Sequence, residues 1–348
     1  MADYLKRLGT LAEYNIFKDS DDFVTPSVVY VDELDTSGHH VHIARETYKF
    51  GHILMYDKVN KFKFGCTIDQ YEAKYKSNTT QYEPQGLCVI PTGLLDNYAR
   101  FISIGGQTTK YWSDNTTWKS NNHSSANSYE YHYKYDVPGL INRTNIKPLI
   151  AMGNTSSVNT AGSTWACTPM DRKKDWGTTY TSSNPNLVYN YNSSWQYTNP
   201  LFNADWSLNT EMFNDNAATN SYLMDRDGLS NTVTLMGIHN STVTFTNNVT
   251  ETIEFPAAEY CWNYYTTAVK QHSWYLPSIT ELSLGLCRYD TIQNILGRIT
   301  GASQLVSANY RSSTECSSNG AADFDTSDGR IGNYSKYHGL YVRPFCRF

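Results

Sequence analysis

Hydrophobic and polar positions change period several times along the chain, and each change predicts an element. Over residues 255–267, Ala257, Ala258, Cys261, Trp262 and Tyr265 recur at i, i+3/i+4 spacing, which is one face of a helix. Pro256 stands in its first turn, where a missing N–H has no helical partner to lose. A short strand at 274–276 follows. Ser278 is then an N-cap with Glu281 at N3, a capping box that opens a second helix running through Ile295. Near the start, residues 4–17 set Leu5, Leu8, Leu11 and Ala12 on one side of a short helix, and 25–31 and 39–43 read as extended. Residues 51–58 and 61–65 form a predicted hairpin turning at 57–60; 85–91 and 99–104 form another, and 242–245 with 252–255 a third. Beyond Ser307, short strands alternate with turn chemistry at Asp328-Gly329 and at 335–339.

Between residues 107 and 222 regular periodicity lapses. Trp112, Trp118, Trp165, Trp176, Trp195 and Trp206 sit there among Asn, Ser, Thr and Tyr. Aromatics at this density argue against disorder, so the segment is expected to be a large insertion packed by its own tryptophans. Composition points the same way for the whole chain of 348 residues: 28 Tyr and 8 Trp with 18% charged residues predict a folded, β-rich α+β protein. Tyr, Ser, Gly and Asn are also the residues of paratopes, where Tyr offers contact area for little lost rotamer entropy; the competing reading is that Tyr fills strands.

Charge and cysteine usage narrow the field. A net charge of −5 argues against a general nucleic-acid or anionic-membrane binder. No apolar run approaches the ~18–20 residues that span a bilayer, and no signal peptide is recognisable, so no membrane insertion and assembly in a cytoplasm are expected. Seven scattered cysteines without a CxxC predict reduced, buried thiols. His40 and His42 share a strand face near His39, but no carboxylate or cysteine motif completes a metal site, and no cofactor is expected.

Three motifs carry a resemblance. Trp274-Tyr-Leu-Pro-Ser-Ile-Thr-Glu-Leu282, Tyr310-Arg-Ser-Ser-Thr-Glu315 and Leu340-Tyr-Val-Arg-Pro-Phe345 occur in that order and spacing. As a set they resemble the C-type-lectin-fold family that includes the variable proteins of diversity-generating retroelements. The same broad fold houses formylglycine-generating enzymes. Arg311 stands where many of these relatives carry tryptophan, and 225–235 resembles the Gly/Asn-Thr turn that precedes their first helix. Residues 1–106 are similar to a β-module in structural proteins of tailed (crAss-like) phages infecting Bacteroidales.

The resemblance implies an N-terminal attachment segment (1–45), a small β-module (46–85) and a C-type-lectin-like domain (86–348), with the 86–104 hairpin closing against a last strand at 340–345. It further implies a non-enzymatic virion protein, a head fibre, tail fibre or decoration protein. Such a protein would grip capsid or tail proteins through its N-terminus and bind a host-surface protein or glycan, as a homotrimer. In the retroelement proteins the C-terminal segment is the diversified one, through randomised asparagine codons. Asn319, Ala321, Asp323, Asp325, Arg330, Gly332, Asn333, Tyr334, Tyr337, His338 and Tyr341 fit that repertoire, although an ordinary hairpin terminus could carry the same residues. The expected receptor contacts are Asn319, Asp323, Asp325, Arg330, Asn333, Tyr334, Tyr337, His338 and Tyr341, with Tyr and Arg as the anchors. The alternatives are a purely structural virion protein, or a formylglycine-generating-type enzyme. The enzyme would need reactive cysteines held together, and Cys316 and Cys346 are its candidates. Calcium-dependent sugar binding is not expected, since no Glu-Pro-Asn tripeptide is present.

Overall fold

The computed structural model describes residues 47–113, 166–167, 225–244, 250–317, 320–327 and 329–348. The expected N-terminal helix, the extended segments at 25–31 and 39–43, the His39–His40–His42 group and most of the 107–222 segment lie outside the described residues. What is described is sheet-rich with a few short helices, an α+β architecture.

The first predicted hairpin forms from β1 (Ile53–Asp57) and β2 (Phe62–Cys66). Asp57 Oδ1 closes its turn by accepting the Val59 and Asn60 N–H groups, both at 2.9 Å. A helical turn, α1 (Ile68–Gln70), opens with a Thr67/Gln70 capping box and runs into a wider turn over Tyr71–Tyr75. The second hairpin follows as β3 (Tyr82–Ile90) and β4 (Arg100–Ser103). These strands lie in one sheet of order β2-β1-β3-β4-β14-β9, with β9 (Trp274–Tyr275) and β14 (Phe345–Arg347) contributed by the C-terminal part.

The boundary expected at 85/86 therefore falls inside a strand. β3 is nine residues long and bonds β1 on one side and β4 on the other, so residues 47–85 are the flank of a shared sheet and not a separate module.

The second sheet has the order β5-β13-β10-β11-β12-β6. Its strands are β5 (Thr108–Lys110), β6 (Ala166–Cys167), β10 (Asn309–Ser317), β11 (Gly320–Asp325), β12 (Arg330–Ser335) and β13 (Leu340–Val342). Thr108–Lys110 thus belongs to the sheet, paired with Leu340–Val342, and not to an insertion beginning at 107. The single last strand expected at 340–345 is two strands. Pro344 has no N–H to give a ladder, and at Arg343-Pro344 the chain crosses from one sheet to the other. Arg343, wholly buried at this crossing, donates from Nε to the Ser103 carbonyl at 2.8 Å and from Nη2 to the Ser303 carbonyl at 3.0 Å. Burial pushes its pKa down to about 10.

Helices fill the space around the sheets. The 225–235 stretch, expected as a turn, is an eleven-residue helix, α2 (Gly228–Ile238), whose N-cap Asp227 accepts the Ser230 N–H at 3.0 Å. Only glycine fits at its start, because a Cβ on Gly228 would lie 2.4 Å from the Ser278 nitrogen. A small ladder of β7 (Thr242–Thr244) and β8 (Thr250–Thr252) leads into α3 (Pro256–Trp262), which ends five residues before 267 and leaves Tyr265 outside the helix. The helix expected from 278 to 295 is two: α4 (Ile279–Leu286), buried along its whole length, and α5 (Tyr289–Arg298), which has an exposed face. The break at Cys287-Arg288 turns the chain from core to surface. Ile53, Phe64, Leu87, Ile102, Leu282, Leu286, Phe324 and Phe345 make up much of the central core between α4 and the sheets.

The capping box at Ser278 is present in both halves, and Glu281 does more than cap. Its Oε1 accepts Arg100 Nε at 2.7 Å and the Tyr275 hydroxyl at 2.8 Å, while Oε2 accepts the Ser278 N–H at 3.0 Å and the Gly228 N–H at 2.9 Å. One carboxylate therefore joins β4, β9, α2 and α4.

The buried His52 accepts the Lys49 N–H on Nδ1 at 3.3 Å. Burial, and then the Lys49 charge, push its pKa from 6.5 down to about 4. Between those values the unfolded chain binds a proton that the folded one does not. The stability from keeping this imidazole neutral is complete above pH 6.5 and is lost as pH falls toward 4, up to about 3 kcal/mol. Urea denaturation at pH 7 and near pH 4.5 is expected to show a smaller pH loss for His52→Gln than for the parent. Equal losses would show that His52 is not responsible.

Candidate functional site

The expected recognition segment, where it is described, lies on β11, β12, the turn at 335–339 and β13, and the structure divides its residues into three groups. Asn319 lies outside the described residues; Arg330 and Asn333 are described only as backbone on β12, opposite Asp325 and Ala322.

Asp323 and Asp325 form the second group, and they correct the expectation. Both are buried, with their carboxylates bound within the chain. Asp323 Oδ2 accepts Asn309 Nδ2 at 2.6 Å, and a Cβ on the facing Gly332 would lie 2.8 Å from Oδ1, so the absent side chain makes room for this carboxylate. Asp325 Oδ1 accepts the Ser327 N–H at 2.8 Å and its carbonyl accepts the Gly329 N–H at 2.7 Å, with Gly329 at φ +78°. Asp325 closes the β11–β12 turn, Asp323 ties β11 to β10, and both carboxylates face away from solvent. Ala321 and Gly332 are buried as well.

The third group is a surface. Tyr334 is 39% exposed, and Tyr337, His338 and Tyr341 are half-buried. The His338 ring lies edge-on to Tyr334 at 4.9 Å and tilted against Tyr337 at 4.3 Å, so three rings form one cluster. Tyr341 stands apart, tilted against Tyr310 at 5.8 Å.

What holds the cluster is hidden beneath it. Arg311 is wholly buried on β10 and aims its guanidinium at the turn. Nη1 donates to the Ala321 and Tyr334 carbonyls at 3.2 and 3.1 Å; Nη2 donates to those of Ser335 and His338, both at 3.0 Å. Lys336 is also buried, ion-paired with buried Glu315, and its ammonium lies 4.7 Å from the centre of the Trp112 ring. The Trp112 N–H donates to the Lys336 carbonyl at 2.9 Å. The backbone is thus tied at 334, 335, 336 and 338, and the rings of Tyr334 and Tyr337 project from a fixed base. Little freedom is left to lose on binding.

The sequence reading found the tyrosines but not these supports. Arg311 stood out only as a departure from relatives, Glu315 as part of a framework motif, and Trp112 as part of the insertion. Lys336 carried a signal: a lone cation among uncharged turn residues, flanked by Ser335 and Tyr337.

The cysteine geometry bears on the enzyme alternative. Cys66, Cys88, Cys261, Cys287 and Cys346 are buried. Cys346 and Cys88 lie on either side of Phe101 in the two strands flanking β4, and burial pushes the Cys346 thiol well above its ordinary pKa, which favours its protonated form. Among the described residues no group of three or more His, Cys, Asp or Glu is placed to hold a metal ion, and no helix is long and apolar enough to cross a membrane. No family model matches the chain, and no curated protein matches it as a relative.

Proposed function

We propose that this is a non-enzymatic virion fibre or decoration protein with a C-type-lectin-like domain. Its N-terminal segment, 1–45, grips capsid or tail proteins, and the ring cluster at 334–338 meets a host-surface receptor. The observation that carries this reading is an aromatic cluster, partly open to solvent, standing on a turn fixed by two buried cations. A merely structural turn gains nothing from outward tyrosines, whereas rigid aromatic anchors are what binding surfaces need.

Supporting the lectin-like assignment, the three motifs that prompted it are in mutual contact. The Ser313 N–H donates to the Pro277 carbonyl at 2.7 Å and the Ile279 N–H to Thr314 Oγ1 at 2.9 Å, joining the first motif to the second. Phe345 pairs with Tyr275, and Tyr341 with Tyr310, joining the third to both. Burial of Cys346 favours a non-catalytic role over the formylglycine-generating type.

Single contacts of this size are weak, so several copies on a particle, arranged as homotrimers, supply avidity. Replacing Tyr334 and Tyr337 together by alanine is expected to reduce adsorption of particles to host cells by about tenfold or more, with an unchanged melting temperature. Unaltered adsorption by particles carrying the folded double variant would reject this surface as the contact.

A further inference from the structure

A second feature lies beside the ring cluster. Between α3 and β5 is an open cleft of about 390 Å³, lined by Lys110, Glu259, Tyr260, Asn263, Tyr264 and Tyr265, with Pro256 at its margin. Its size falls within the ~300–1,000 Å³ of small-ligand sites. Tyr265 is 65% exposed, an unusual placement for so large a ring. Tyr264 beside it is fixed. Its ring stands edge-on to Trp274 at 5.0 Å and lies so close to Gly106 that a Cβ there would come within 2.2 Å of it. Its hydroxyl would lie 3.7 Å from a Cβ on Gly105.

The lining has a definite chemistry. Tyr265 offers an exposed ring, Tyr260 a ring with the Lys110 ammonium 5.7 Å from its centre, and Tyr264 a half-buried ring packed against Trp274. Asn263 supplies an amide, and Glu259 and Lys110 supply one charge of each sign, so the cleft carries no net charge. An anionic polymer would need an excess of cations. An apolar peptide side chain would find aromatic neighbours but leave Asn263, Glu259 and Lys110 without matching groups. A neutral sugar ring, with a C–H face and a rim of hydroxyls, matches both the faces and the polar groups.

The cleft and the ring cluster are physically joined. Lys110 pairs with Leu340, the Tyr111 carbonyl accepts the Ala257 N–H at 3.0 Å, and the Trp112 N–H bonds the Lys336 carbonyl at 2.9 Å. A Cβ on Gly339 would touch the Tyr111 ring at 3.8 Å. Residues 110–112 therefore run from the cleft to the turn, a span of roughly 7 Å at the rise of an extended chain.

We propose that the α3–β5 cleft is a saccharide subsite and that, with the rings at 334–338, it forms one track for an extended neutral glycan. This rests on the receptor-binding reading above and names the class of ligand. Short oligosaccharides occupy the cleft, and longer ones reach the Tyr334 cluster and gain affinity there.

The test uses the full chain on an array of immobilised short and long neutral oligosaccharides, with sulfated glycans and unstructured peptides alongside. The expected result is retention on neutral oligosaccharides, lowered by about tenfold or more by Tyr265→Ala and by Asn263→Ala, for ring and hydrogen-bond loss respectively. Both residues are exposed, so both variants should melt with the parent. Tyr334→Ala should weaken retention on long oligosaccharides and leave short ones unchanged. Retention only on peptides or sulfated glycans would overturn the proposal, as would no retention at all, or cleft variants that bind like the parent. If the cleft variants behave like the parent while the Tyr334/Tyr337 variant still loses adsorption, the receptor reading stands and only the glycan track falls.

Discussion

Replacing Glu281 by alanine is expected to cost about 3–5 kcal/mol of stability, the range for breaking one side of a buried ion pair. The carboxylate accepts four hydrogen bonds, from Arg100, Tyr275, Ser278 and Gly228. Without it the Tyr275 hydroxyl and two backbone N–H groups lose their acceptor where water does not reach, and Arg100 loses one of its two carboxylate partners. Arg100 is almost fully buried but keeps Asp96, which it binds through Nη1 and Nη2 at 2.7 Å each. Glu281→Gln preserves the shape and one good acceptor, so its loss should be smaller. Chemical denaturation of the three proteins, with unchanged m-values, checks the order parent, Gln, Ala. A loss for Glu281→Ala below about 1 kcal/mol, the worth of an ordinary cap alone, would show that the cross-element bonds add nothing.

Arg311→Ala is expected to be the most damaging change near the proposed recognition surface, lowering stability by about 3 kcal/mol or more. Its guanidinium serves four carbonyls of β11, β12 and the following turn, three of them within residues 334–338. Truncation leaves a cavity and takes one donor from each of them, although the Ser335 carbonyl keeps the His338 N–H. Arg311→Lys should rescue little, because an ammonium is a compact point charge that cannot reproduce the planar fork spanning two pairs of acceptors. The distinguishing measurement is amide exchange. Protection of the His338 N–H, which donates to the Ser335 carbonyl at 3.1 Å, should fall while protection in β3 and β4 persists under conditions where the protein stays folded. Exchange at 338 that matches the parent would mean the turn is held by Lys336 and Glu315 without help from Arg311.

Signals that are local in sequence were legible in advance. The Ser278/Glu281 box, Pro256 at a helix start, and the turns at Asp57 and Gly329 each depend on residues a few positions apart, and each appears where the pattern placed it. The α2 helix was obscured because Asn231, Thr232, Val233 and Thr234 are poor helix formers; its Asp227 cap was visible, but tertiary bonds decide the outcome. Asn231 Nδ2 reaches Asp225 at 2.7 Å and Ser313 at 3.0 Å, and Thr232 Oγ1 accepts the Leu276 N–H at 3.0 Å.

At the proposed recognition surface the tyrosines could be read from composition, but the facing of the aspartates could not. Alternation alone allows Asp323 either side of its strand, and the choice turns on Asn309 and Gly332, supplied by the neighbouring strands. The supports were invisible for the same reason. Arg311 lies 23 to 27 residues from the turn carbonyls it binds, and Glu315 lies 21 from Lys336.

The crossing at Arg343-Pro344 also has a mechanical consequence. On its C-terminal side the tyrosine turn runs into β13 and, after Arg343 and Pro344, into β14, which is bonded to β4 on one flank and β9 on the other. Peeling that end of the chain away would mean breaking the bonds of β14 to two neighbours together, a tether more resistant than a strand at a sheet edge.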